Sequence, residues 1–300
     1  MTETTRIMVP LDGSEKDARA LAVASALADL SGGALHLVHV LDATDRSVEA
    51  RAAARAVAEE RLATSGRQFS IDAPFTWAVL DGSHVVEELV RHAAARDALA
   101  VVMGTRAPSA VGRVVVGSVA DQVVRECPRP VVLVPPGAAF MAGRQVRFGR
   151  VLVPLDGSVL SAEALEFLLR LPRAHELEYV LLEVVPPTDA NSPAESSSIG
   201  GGKSGRVADA ELRLASAAAR VRSRGVPIVD VQVVEATDTA EAIVAAVRDC
   251  LVELIAMSTK GTGGLRRLVL GSVAEGVVRA SEIPVLLLTP AALAAARQPT

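Results

Sequence analysis

Short runs of Val, Leu and Ile alternate along this chain with longer Ala-rich stretches whose apolar positions recur at helical spacing. In the first half the apolar runs fall at Ile7–Val9, Leu35–Leu41, Phe75–Leu80, Leu99–Met103 and Val131–Val134. Between them lie stretches such as Glu15–Leu30 and Val48–Thr64, each long enough for several helical turns. The second half gives runs at Val151–Val153, Tyr179–Val185, Ile228–Val234, Leu254–Met257 and Val285–Leu288. Alternation of this kind predicts βαβ units and a parallel sheet. Because the runs are continuously apolar, both faces of that sheet are expected to be covered by helices. The predicted fold class is α/β, with two tandem doubly wound domains of five strands and four helices each. Such sheets take ligands beyond the carboxyl ends of their strands, where strand order reverses.

The halves are copies. Ile7-Met8-Val9-Pro10-Leu11-Asp12-Gly13-Ser14 returns as Val151-Leu152-Val153-Pro154-Leu155-Asp156-Gly157-Ser158, displaced by 144 residues. Val114-Val115-Val116-Gly117-Ser118-Val119-Ala120-Asp121 returns as Leu268-Val269-Leu270-Gly271-Ser272-Val273-Ala274-Glu275, displaced by 154. The difference requires an insertion in the second copy, and the Ser-, Gly- and Pro-rich stretch 186–205 is the place for it. The domains are therefore expected at 1–140 and 147–300, with a boundary near Gly137 to Gly149.

Composition narrows the function classes. Apolar residues make up 50% of the chain but aromatics only 2%, which argues against a base-stacking nucleic-acid platform. With 31 basic against 35 acidic residues, the formal charge of −4 gives no electrostatic reason to expect nucleic acid or anionic lipid. No apolar run approaches the roughly 18 residues of a membrane helix, and the first five residues lack the pattern of a signal peptide. Two distant cysteines, Cys127 and Cys250, fit a reducing cytoplasm and read as small buried hydrophobes.

Two features at the predicted strand ends carry chemistry. Asp-Gly-Ser occurs at Asp12–Ser14, Asp81–Ser83 and Asp156–Ser158, each before a helical pattern. The serines read first as helix caps. Asp12 and Asp156 differ, because they follow the first strand of each half beside Pro10 and Pro154 and face the expected crevice. After the fourth strand, Met103-Gly104-Thr105-Arg106-Ala107 leads through nine residues to Gly117-Ser118-Val119. Met257-Ser258-Thr259-Lys260-Gly261 leads in the same way to Gly271-Ser272-Val273. A loop of small residues ending at a helix start offers unpaired backbone N–H groups and the positive end of the helix dipole, which suit phosphate. The bland alternative is a Ser-capped connection. A basic residue at one place in both loops, Arg106 or Lys260, favours the anion.

With these residues in view, the chain resembles tandem universal stress proteins over nearly all of both halves. The resemblance implies a five-stranded parallel sheet of order 3-2-1-4-5, an adenine-nucleotide pocket, and dimers joined through the fifth strands. It places Pro10, Asp12 and Val40 on the adenosine side of the first pocket, with Pro154, Asp156 and Val184 in the second. The phosphate side falls on Gly104, Gly117 and Ser118 with neighbours Met103 and Val119, and on Gly261, Gly271 and Ser272 with Met257, Ser258, Lys260 and Val273.

Each copy departs from the family pattern. Ala107, followed by Pro108, stands where the first loop expects a glycine, and Ser258 stands where the second does. An Ala forced to positive φ costs on the order of 1 kcal/mol, whereas Ser258 at a strand end needs only ordinary φ. The second pocket is therefore expected to bind better. Gly202-Lys203-Ser204 imitates the end of a P-loop but lacks its first glycine, since Ser197 stands there. His36 and His39 point to opposite faces of one strand, and His84, His92 and His175 read as isolated, solvated side chains. No pattern assigns a nucleophile and its base.

The expected function is a cytoplasmic stress-response protein that binds ATP, with Mg²⁺ as a companion cation, and acts as a nucleotide-dependent switch without catalysis. Its partners would be an adenine nucleotide and a second copy of itself, besides the internal pseudo-dimer, with no nucleic acid and no membrane. The alternative is a nucleotide-independent scaffold that pairs through the Val131–Val134 and Val285–Leu288 edges.

Overall fold

The computed structural model describes residues 5–42, 47–69, 73–105, 117–141, 146–187, 205–259 and 270–296. In the first half, β1 (Arg6–Pro10), β2 (Ala34–Leu41), β3 (Phe75–Asp81), β4 (Ala100–Gly104) and β5 (Val131–Val134) alternate with α1 (Lys16–Ser31), α2 (Val48–Phe69), α3 (Val85–Ala95) and α4 (Ser118–Glu126). The second half supplies β6 (Arg150–Pro154), β7 (Glu178–Val185), β8 (Val229–Glu235), β9 (Leu254–Ser258) and β10 (Val285–Leu288). Its helices are α5 (Val159–Leu169), α6 (Gly205–Ser223), α7 (Thr239–Asp249), α8 (Ser272–Ala280) and a further α9 (Pro290–Ala296). Every strand lies within two residues of its predicted run, because β-branched runs bounded by Gly, Pro and Asp leave little freedom of register.

The ten strands form one sheet in the order β3-β2-β1-β4-β5-β10-β9-β6-β7-β8. Within each half the pairing is parallel and the order is 3-2-1-4-5, as expected. The halves meet where β5 pairs antiparallel with β10, Leu133 opposite Val285, Val132 opposite Leu286 and Val131 opposite Leu287. The carboxyl ends of the two parallel sets therefore point to opposite ends of the sheet.

Alternating strand residues feed two apolar layers. One includes Ile7, Val9, Leu35, Leu37, Val151 and Val153 and packs under α1, α2, α5 and α6. The other includes Met8, Val38, Val101, Leu152 and Ile255 and packs under α3, α4, α7 and α8. Both layers run across the seam, so the halves share their core. Further ties are the Arg173–Asp29 ion pair and the Arg173 N–H, which donates to Leu30 O at 3.1 Å. The stretch expected to separate the halves is also partly packed, with Ala138 and Phe148 in the core.

Several expectations are corrected. The outermost strands are not covered on both faces: Trp77 on β3 and Val231 on β8 remain 45% and 40% exposed, because an edge strand has a neighbour on one side only. Of the three Asp-Gly-Ser serines only Ser158 caps a helix, its Oγ accepting the Ser161 N–H at 3.1 Å. The caps of α1 and α3 are Glu15 and His84, since in both cases the helix begins one residue later than the serine could reach. His92 is neither isolated nor fully solvated. It is half-buried and stacks on His36, with ring centroids 5.0 Å apart and Nε2 atoms at 2.8 Å. The predicted loop insertion lies outside the described residues over 188–204.

The helices α3 and α7 end alike. Each is followed within two residues by a non-glycine in the left-handed region, Asp97 at φ 48° and Leu251 at φ 52°. This is the position where helices favour glycine. Leu251 is 81% exposed and so forfeits little burial when shortened. Leu251→Gly is expected to stabilise the chain by about 0.5–1 kcal/mol in urea unfolding. Asp97→Gly should not match it, because Asp97 also pairs with Arg129 at 2.5 Å.

Candidate functional site

Beyond the carboxyl ends of β1 and β4 a cavity of about 240 Å³ opens in the first half. Its position follows from topology, since β1 passes to β2 on one side and the chain later returns to β4 on the other. Pro10 ends β1, and the Leu11 N–H donates to Val38 O at 2.8 Å, which holds Asp12 at the rim. Pro10, Asp12 and Val40 line one side of the cavity. Met103, Gly104, Gly117, Ser118 and Val119 line the other. All eight residues predicted for this half thus surround one space. Arg106, Ala107 and Pro108 lie outside the described residues.

The turn after Asp12 is built for a carboxylate. Gly13 sits at φ 86°, where a side chain is strained and would also collide with Arg61. Asp12 Oδ1 accepts the Ser14 N–H at 3.1 Å and Oδ2 meets Lys16 Nζ at 2.6 Å. Burial pushes the Asp12 carboxyl up, but its hydrogen bonds with Lys16 and Ser14 outweigh this and bring it down to about 2. Asp17 takes the opposite direction. Burial, opposed by the Gly13 N–H it accepts at 2.7 Å and aided by the charge of Asp12, pushes it up to about 6.

The second half repeats the frame with other side chains. Pro154 ends β6, Leu155 N–H donates to Leu182 O at 2.8 Å, and Asp156 Oδ1 accepts the Ser158 N–H at 3.0 Å. Val184 lies in the adjacent β7. Met257 and Ser258 end β9, and neither has positive φ, so ordinary strand geometry accommodates Ser258. The Gly271 N–H donates to Thr259 O at 2.8 Å, bringing the start of α8 back against β9. Gly271 is the cap of α8, and Ser272 and Val273 form its first turn. Their N–H groups have no intrahelical partner. Lys260 and Gly261 lie outside the described residues.

Sequence reasoning missed several cavity residues. Lys16, Val38, Val85 and Leu89 also line it. The Asp12–Lys16 spacing of four at a helix start was a signal for the ion pair. Nothing local marked Val85 and Leu89, which α3 brings from across the sheet. One turn further along α3, His92 meets His36, whose Nδ1 lies 2.8 Å from Thr76 Oγ1. The His pair thus braces the helix that forms one cavity wall.

A doubly wound sheet with a rim carboxylate and a glycine-to-helix loop at its carboxyl end defines a class of ligand-binding α/β domain, and comparison with known proteins gives the family. The model of the universal stress protein family matches residues 3–135 and again 147–289. The chain belongs to that family, with two copies of its domain. A universal stress protein of Thermus aquaticus is 33% identical over 141 residues, covering 43% of this chain and 96% of that protein. One from Mycolicibacterium smegmatis is 37% identical over 78 residues, covering 26% of this chain and 55% of that protein. A crystal structure of a universal stress protein from Archaeoglobus fulgidus has the same fold along nearly the whole chain. It gives a TM-score of 0.71 at 22% identity, covering 96% of this chain and 99% of that one. No described helix is long and apolar enough to cross a membrane.

Two tests follow from the charges. Burial, then the neighbouring His92, Arg96 and Arg6, press His36 down to about 4, and burial with Arg96 and Arg91 lowers His92 against the opposing Glu88. An unfolded His takes up its proton near 6.5, so the folded chain loses stability as pH falls from about 6.5 toward 4 and is unaffected above that window. His36→Gln is expected to flatten this dependence by on the order of 2 kcal/mol in melting curves taken across pH 7 to 4. For Asp17, raised from the ordinary 3.8 to about 6, the fold loses stability as pH rises from about 4 to 6 and stays at that lower level above. Ser161 holds the matching position in the second half as a neutral acceptor, 3.4 Å from the Asp156 nitrogen. Asp17→Asn is therefore expected to raise the melting temperature at pH 8 and to change little at pH 4.

Proposed function

We propose that this universal stress protein binds adenine nucleotide, ATP in particular, at the strand ends of its halves and acts in the cytoplasm as a ligand-dependent switch without catalysing a reaction. The observation that carries this reading is the cavity in which Pro10, Asp12 and Val40 face Gly104, Gly117 and Ser118. One wall offers a carboxylate for sugar hydroxyls and apolar surface for a base. The other offers the amide groups and positive end of α4 for phosphate. Micromolar affinity needs about 8 kcal/mol net. A few charge-assisted hydrogen bonds of roughly 1.5–3 kcal/mol each, with a buried base, supply that after association costs.

The second pocket is the stronger binder on the loop argument, because Ser258 sits in ordinary strand geometry. Switching would come from contacts that phosphate makes in one state only, which draw the population toward that state. The charge of Asp12 supports binding over catalysis, because a carboxyl held near 2 is a weak base at neutral pH. Among the described residues no group of three His, Cys, Asp or Glu side chains is placed to hold a metal ion. Mg²⁺ would enter on the phosphates.

The second reading is a nucleotide-independent scaffold, but the β5–β10 pairing uses the Val131–Val134 and Val285–Leu288 edges on each other within one chain, which weighs against docking a partner through them. The two readings separate in calorimetric titration of ATP into the wild type and the Ser118→Glu/Ser272→Glu double variant. A carboxylate in the first turn favours the helix but repels phosphate. Micromolar binding by wild type and at least a thirtyfold loss in the variant, at unchanged melting temperature, is the expected result. Protein purified without added nucleotide, empty by mass spectrometry and not stabilised by millimolar ATP, would support the scaffold instead.

A further inference from the structure

The halves differ where the first turn of a helix meets the mouth. Four residues after the rim aspartate the first half has Lys16 and the second has Leu160. Lys16 opens α1 with its side chain only 23% exposed, and its ammonium sits 2.6 Å from Asp12 Oδ2. Its stem lies against the end of β4. A Cβ added to Gly104 would come within 2.7 Å of Lys16 Cβ and 2.8 Å of the Lys16 carbonyl oxygen. Gly104 closes β4, and the chain comes back to the cavity at Gly117. The Lys16 side chain therefore runs from the end of β4 to the Asp12 carboxylate, along the rim of the cavity. Leu160 packs instead against the apolar layer under α5.

We propose that Lys16 is a charge-selecting latch on the first pocket. This rests on the nucleotide reading above and names the ligand class it selects, adenine nucleotides carrying phosphate over the uncharged nucleoside. A phosphate on the glycine-rich wall draws the ammonium off Asp12. The flexible four-carbon stem lets it swing without moving α1. The carboxylate is then free to accept the sugar hydroxyls while Oδ1 keeps its bond from Ser14 at 3.1 Å. One internal ion pair is exchanged for two contacts with the ligand. An uncharged nucleoside offers the ammonium nothing and must compete with it for Asp12. The second half, with Leu160, lacks this selection, so the two pockets read different features of one ligand family.

The test is calorimetry of ATP and adenosine on the full chain carrying Val184→Trp, which fills the adenosine side of the second pocket. Lys16, Lys16→Met and Lys16→Arg are compared in that background, with melting curves to confirm the fold. Lys16→Met is expected to weaken ATP by tenfold or more while adenosine binds equally well or better, and Lys16→Arg to retain most ATP affinity. The converse pair, Leu160→Lys in a Val40→Trp background, should raise the preference of the second half for ATP over adenosine. Equal loss of both ligands in Lys16→Met would reveal a structural role, and unchanged ATP affinity would show that the ammonium does not reach the phosphates. Either overturns the latch and leaves the nucleotide reading standing. Failure of the unmutated chain to bind ATP overturns both.

Discussion

Backbone polarity constrains this molecule at its centre. The strands β5 and β10 are four residues each and almost wholly buried, so their N–H and C=O groups cannot turn to water. A buried backbone group without a partner costs about 1–3 kcal/mol, so once the apolar layers close over the seam its ladder must be complete, whereas on one half alone the same edge would be open to water and to pairing with another chain. Pairing the two edges satisfies both at once. It also joins the apolar layers into cores that run across the halves. The placement of α1 beside Arg173 and the burial of Ala138 follow from that join.

The site is governed by a second constraint, the crowding of two carboxylates into one turn. Asp12 and Asp17 lie on either side of Gly13 and experience opposite fields. Lys16 and the Ser14 amide keep the first ionised, whereas burial and its charged neighbour press the second toward neutrality. The second half resolves the same crowding by replacing Asp17 and Lys16 with Ser161 and Leu160, which leaves the turn less charged. Duplication thus preserved the backbone frame while the electrostatics diverged.

Much of this was legible in the sequence because it depends on local chemistry. Apolar runs bounded by turn residues marked the strands, and repetition of Pro-x-Asp and Gly-Ser marked both strand-end rims. Residues that meet only through the third dimension left no such trace. The contact of His36 with His92 depends on α3 crossing β2, and Val85 and Leu89 enter the cavity by the same route. The serine caps failed for a simpler reason: one residue of helix onset separates Ser158, which caps, from Ser14 and Ser83, which do not. The helix α9 was unheralded because seven residues after a terminal strand show too few turns for a periodicity.

The antiparallel join has a consequence for how such a molecule could communicate. Had the halves been related by translation, both crevices would open on one flank and a single neighbour could sense the two together. The antiparallel pairing at the seam sets them at opposite poles, so the surface around one crevice is remote from the surface around the other. Because the join is intramolecular, dilution does not undo it, and the 1:1 ratio of unlike poles is guaranteed by the peptide chain. A chain of this form carries two unlike poles in one covalent frame, which an assembly of identical single-domain subunits cannot do.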